Sequence, residues 1–109
     1  SITPASSDNK VLIIVGQPAW ISVDTTSTRT VHFNIVRTST QLIEGKVPLT
    51  AASGTDVPMF NGLNYLDSPS TTSSTTYKTQ IKISGSNSDA YAQQDSDSYS
   101  TITLMEIVA

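Results

Sequence analysis

No window of this chain repeats its apolar residues at three- and four-residue intervals over the ten or so positions that an amphipathic helix needs. What repeats is a period of two. Tyr77, Thr79, Ile81 and Ile83 alternate with Lys78, Gln80 and Lys82, and Val31, Phe33 and Ile35 alternate with His32 and Asn34. A strand sends successive side chains to opposite faces, so each of these runs has one dry face and one wet face. With turn residues recurring about every eight to twelve positions, the pattern predicts roughly seven to nine short strands. The expected fold class is all-β, a jelly-roll-like antiparallel β-sandwich over residues 10–109, with residues 1–9 as a polar arm or lead-in. No internal repeat is visible, which argues against a propeller or β-helix.

Several short motifs predict where strands should end. Gly16-Gln17-Pro18 is expected to break the first strand, which Ala19 to Val23 then resumes. Glu44-Gly45-Lys46 reads as a hairpin or bulge. Asn61-Gly62 reads as a two-residue hairpin turn, because both residues tolerate positive φ. Polar loops are expected at residues 24–29 and 84–89, and the Ser/Thr run 70–76 suits either a linker or a pleated surface. Residue 1 is not methionine and no signal-peptide pattern follows, so the expectation is a chain cut from something longer, or processed.

Composition narrows the classes. The 17 Ser and 16 Thr among 109 residues raise the question of disorder. Against that, Ile, Leu, Val and Phe total 26 and the net charge is only −3, which places the chain among those that fold. Without cysteine there is no disulfide framework, thiol nucleophile or thiolate metal site. Six Lys and Arg do not make the basic footprint of a nucleic-acid binder. The longest apolar run, Val11 to Val15, is strand-sized and far short of the roughly 18 residues that span a bilayer as a helix.

The first and last strands depart from simple alternation. Lys10 to Val15 is apolar on both faces. In Ser100 to Val108, Ile102, Leu104 and Val108 share one side, while Met105 and Ile107 share the other. A strand in a two-sheet sandwich normally shows one face to water, so a second apolar face asks for a second cover. The simplest cover is the same surface on a neighbouring subunit, and a closed ring of three is the expected arrangement. Leu12, Ile14, Leu104, Met105, Glu106 and Ile107 are the interface candidates, with Glu106 at the rim or paired across the contact.

Few residues suggest chemistry. His32 is the only histidine and, between Val31 and Phe33, belongs to the face opposite the core, so a surface or interface role is expected. Asp95 and Asp97, with Asp89 nearby, form the densest acidic patch but lack the glycine and closing glutamate of an EF-hand loop. They read as solvated turn carboxylates, and no metal or cofactor is expected. No serine lies in G-x-S-x-G and no phosphate loop exists, so the expectation is a protein that is not an enzyme. Trp20, at a break in the chain, could stack on sugar, anchor a partner or plug the end of the sandwich. Trp20, Tyr91, Tyr99, Asp95 and Asp97 are the ligand-binding candidates.

Specific strings add a resemblance. Leu66-Asp-Ser-Pro-Ser-Thr-Thr-Ser-Ser-Thr-Thr-Tyr-Lys78 and Ser100-Thr-Ile-Thr-Leu-Met-Glu-Ile107 resemble C-terminal modules of bacteriophage tail fibres and related virion proteins, especially those of marine and cyanobacterial phages. Ser1-Ile-Thr-Pro4 followed by Lys10-Val-Leu-Ile13 is similar to the start of the same module. The resemblance implies a homotrimeric β-sandwich on a virion, at a fibre tip or on the head, partnered by itself, by other virion proteins and by a host-surface glycan or protein. It transfers no catalytic residue. The leading expectation is a module for host attachment. The alternatives are a decoration or stabilising protein without receptor binding, and a monomeric carbohydrate-binding module.

Overall fold

The computed structural model describes residues 1–25, 27–85 and 88–109, with all of their side chains except that of residue 27. Residues 26, 86 and 87, in the loops expected at 24–29 and 84–89, lie outside the described residues. The described chain forms β1 (Lys10–Val23), β2 (Ser27–Arg37), β3 (Thr40–Ala51), β4 (Thr55–Asp67), β5 (Tyr77–Ser84), β6 (Ser88–Ala92) and β7 (Thr101–Ile107). Two antiparallel sheets pack as a sandwich, so the all-β expectation holds.

In the first sheet β1 is central. β4 lines one side of it from Val11↔Asp67 to Val23↔Thr55. The other side is shared: β7 pairs with Lys10 to Gly16, and β6 pairs with Ala19 to Val23. In the second sheet β2 lies between β3 and β5. A bulge opposite Ile35 and Val36 falls on β3, where Leu42 is the extra residue, and Leu42 and its neighbour Ile43 both pack on the core.

Strict alternation along β1 drives the packing. Val11, Ile13, Val15, Ala19, Ile21 and Val23 are buried, and they meet Val31, Phe33 and Ile35 from β2. Burying each such Val or Ile side chain stabilises the fold by about 1.5–3 kcal/mol. The core divides into two clusters, one around Ile13 and Ile35 and one around Ile21 and Phe33. Gln17, buried between them, satisfies its amide across both sheets. Its Nε2 donates to Ser100 Oγ (2.6 Å), and its Oε1 accepts from Thr79 Oγ1 (3.0 Å).

Charged groups close one end of the sandwich. Arg37 Nη1 donates to both carboxylate oxygens of buried Asp67 (3.0 and 2.9 Å), and the Tyr77 hydroxyl donates to Asp67 Oδ2 (2.7 Å). β4 of one sheet is thereby tied to β2 and β5 of the other. Burial, with Asp67 beside it, pushes the Tyr77 hydroxyl far above the usual phenol range, so it stays a donor.

The structure corrects three strand boundaries. Gly16-Gln17-Pro18 does not interrupt β1, because β4 pairs with it without a gap through all three residues. Asn61-Gly62 does not turn; it pairs with Gln17 and Gly16 inside β4, where cross-strand register overrides local φ preference. Glu44-Gly45-Lys46 lies inside β3. Gly45 faces Phe33 there, and a Cβ would sit 3.1 Å from Leu63 Cδ2, so a larger residue would make the Leu63 side chain shift by a few tenths of an ångström.

The polar residues 1–9 are docked. Ile2 and Thr75 exchange backbone hydrogen bonds (3.0 and 2.8 Å), and Pro4 is fully buried. Glu106 Oε1 accepts from the Ala5 N–H and from Asn9 Nδ2, both at 2.6 Å. These donors hold its carboxyl below its ordinary 4.5, the Asn9 bond most strongly. In the unfolded chain the group titrates at the ordinary value. The stabilisation is therefore complete above that value and is lost as pH falls through the lower native one. Glu106→Gln is expected to flatten part of the acid limb of stability against pH, read by thermal melts from about pH 7 to pH 3. An unchanged limb would show that this contact contributes nothing.

Candidate binding site

The two outer faces of the sandwich differ in kind. On the second sheet the outer face carries His32, Asn34, Glu44, Lys46, Gln80 and Lys82, which suit water. On the first sheet the outer positions of β1 are Leu12, Ile14, Gly16, Pro18 and Trp20, flanked by Pro58, Phe60, Gly62, Asn64 and Leu66 from β4. Thr101, Thr103, Met105 and Ile107 of β7 and Tyr91 of β6 complete it. Six of the nine exposed large hydrophobic residues among those described, Ile14, Phe60, Leu66, Tyr91, Met105 and Ile107, lie on this one face. Among the described residues, charge on this face is found only at its ends, with Lys10 at one and Asp56 and Asp89 at the other. Patches that large and continuous on a soluble domain mark contact surfaces.

The sequence-derived candidates divide by face. Leu12, Ile14, Met105 and Ile107 are all on the outer face. Leu104 points the other way and packs on the Val11–Ile13–Val15 cluster, and Glu106 also points inward, onto Ala5 and Asn9.

A cleft of about 120 Å³ opens near the acidic end. Its origin is the strand changeover: β7 stops opposite Gly16, β6 begins opposite Ala19, and residues 93–100 loop out between them. Pro18 brings no N–H to this gap, and its carbonyl accepts from Gln17 Nε2 (3.1 Å). It is lined by Pro18, Trp20 and Pro58 from the sheet and by Gln93, Gln94, Asp95 and Ser98 from the segment after β6. A pocket that small holds about one six-membered ring. Asp95 to Ser98 is a turn closed by the Ser98 N–H on the Asp95 carbonyl (3.1 Å).

Of the ligand candidates, then, the structure brings Trp20 and Asp95 together in the cleft. Tyr91 pairs with Trp20 across the ladder, and its hydroxyl donates weakly to Asp89 Oδ2 (3.4 Å). The Asp89 carboxylate, burial, and then Asp24 and Asp56 push that hydroxyl above its ordinary range, a sign of the negative field at this end. Asp97 and Tyr99 are exposed and do not line the cleft. Among the described residues no three His, Asp or Glu side chains converge where a metal ion could sit. Sequence reasoning missed Pro58, Phe60 and Leu66, because a turn at Asn61-Gly62 would have removed them from this face.

His32 forms a stitch across three strands. Its Nδ1 lies 3.0 Å from Glu44 Oε1 and its Nε2 lies 3.2 Å from Ser84 Oγ. Hydrogen bonds from Lys46 and His32 hold the Glu44 carboxyl below its ordinary range. The order Ser–His–Glu matches that of an acyl-transfer relay. However, the Ser84 hydroxyl also has the Thr30 carbonyl as an acceptor (3.3 Å), and the set lies on a sheet face away from the cleft.

Comparison with known protein families, curated proteins and solved structures found no match to this chain.

Proposed function

We propose that this chain is a non-enzymatic assembly module of a bacteriophage virion projection, a part that holds or decorates a fibre or head through the outer face of its first sheet. The observation that carries the assembly role is the contrast between the two outer faces, one polar and one apolar with charge only at its ends. The virion setting rests on the resemblance of residues 66–78 and 100–107 to fibre modules. Immunogold labelling of intact particles is expected to place the module on their surface, and particles carrying Met105→Asp are expected to lose it. Particles without label, or a variant incorporated as well as the natural chain, would contradict the reading.

A second reading is favoured by the cleft. An indole beside a carboxylate and two amides suits one sugar ring, stacked on Trp20 and hydrogen-bonded by Asp95 and Gln94. Under this reading the module mediates attachment to a host-surface glycan. This reading requires Trp20 to stay open to the sugar and not be covered in an assembly contact; Trp20→Ala is then expected to weaken adsorption about five- to hundredfold while the module stays on the particle, since losing one aromatic platform costs on the order of 1–3 kcal/mol. Unchanged adsorption would leave assembly as the sole role.

A further inference from the structure

We infer that the apolar outer face of the first sheet is covered by the same face of a second copy, the two stacked about a twofold axis level with Gly16 that reverses the strand direction. This rests on the assembly reading and names the partner.

The first support is area. From Val11 to Val23 the face is about 44 Å long and, at three strands, about 14 Å wide. Its flat footprint is about 600 Å² per copy, or about 1,200 Å² for two, at the threshold for a specific interface. The second is the distribution of charge. No charged side chain interrupts the face between Lys10 and the row of Ser22, Asp56 and Asp89. A depleted centre with a charged rim is the composition of a protein contact.

The third is complementarity under the inferred symmetry. Gly16 lies midway between Lys10 and Ser22, so reversing the direction about it sets Lys10 of one copy between Asp56 and Asp89 of the other. The same operation sets Trp20 over Leu12, Pro58 over Leu66 and Tyr91 over Met105, the bulky end of each copy on the aliphatic end of the other. Gly16 and Gly62 pair at the centre, and the exposed Phe60 ring lies over Gly16, where an added Cβ would sit 2.9 Å from Phe60 Cζ, so the middle of the contact is aromatic and uncharged. A ring of three with its axis along the strands would instead gather Asp56 and Asp89 of every copy at one end, with Lys10 at the far end. The charges therefore favour the twofold stack over the expected trimer.

Sedimentation velocity tests it with two charge-reversed chains. Lys10→Asp alone, and Asp56→Lys with Asp89→Lys together, are each expected to weaken self-association at least about tenfold, because like charges then meet at both rims. An equimolar mixture of the two is expected to recover dimers, since every rim contact is again between opposite charges. The substitutions are exposed, and circular dichroism checks that both chains keep their strands. A natural chain that sediments as a monomer at about 100 µM, or as a trimer, would overturn the inference, as would a mixture that recovers nothing. A monomeric chain whose Met105→Asp variant still fails to join particles would sink the self-stack and leave the assembly reading standing.

Discussion

Leu104→Asp is expected to unfold the domain, while Met105→Asp, one residue further along the same strand, is expected to leave it folded. The two side chains leave β7 on opposite faces. Leu104 faces Ile13 across the ladder and packs into the first core cluster, whereas Met105 faces Leu12 on the outside and is 48% exposed. An aspartate at 104 would be a charge without a partner among aliphatic groups, a penalty of several kcal/mol. That is comparable with the whole stability of a domain this size, about 5–15 kcal/mol. At 105 the same charge meets water in the single chain and meets an apolar partner only when two copies stack. The expected readout is loss of the strand signal in circular dichroism for the first variant. For the second it is a retained strand signal with at least about hundredfold weaker association, as for truncating an interface hot spot. If both variants kept their strands and their association, the faces assigned to β7 would be wrong.

Asp67→Ala carries the second largest effect. One buried carboxylate accepts two contacts from Arg37 and one from Tyr77, and so ties β4 to β2 and β5. Removing it strands an arginine and a phenol at the closed end of the core. Breaking a buried pair costs about 3–5 kcal/mol; Arg37 is partly wet, so the low end, about 3 kcal/mol, is expected. For a domain near 100 residues that lowers the melting temperature by roughly 10–20 °C. Tyr77→Phe removes only one hydrogen bond from the same carboxylate and is expected to cost about 1 kcal/mol. Equal losses in the two variants would mean that the arginine pair contributes nothing and that Tyr77 alone holds this end.

How far the sequence revealed the fold depends on the range of the interaction. Alternation is local, and it placed Val31, Phe33, Ile35, Ile81 and Ile83 on inner faces, where they are found in or against the core. The two-faced character of Lys10 to Val15 and Ser100 to Val108 was equally legible, and it pointed to the uncovered face. Asn61-Gly62 misled because a turn preference worth a fraction of a kcal/mol competes with continuous pairing of β4 along β1. Nor could local pattern show that Pro18 would sit where two strands change over and so open a cleft. Gln17 with Ser100, His32 with Ser84 and Arg37 with Asp67 join residues 30 to 83 positions apart. Only the register of the sheets brings them together.

The central claim is that the apolar outer face of the first sheet buries itself against its own copy. The mass of the natural chain in solution, measured by sedimentation equilibrium from about 1 to 100 µM, tests it most directly, a range that brackets the micromolar affinities of small interfaces. A reversible rise from the 11.6 kDa of one chain toward twice that mass is the predicted result. A mass that stays at one chain throughout, or that climbs to three, would contradict it.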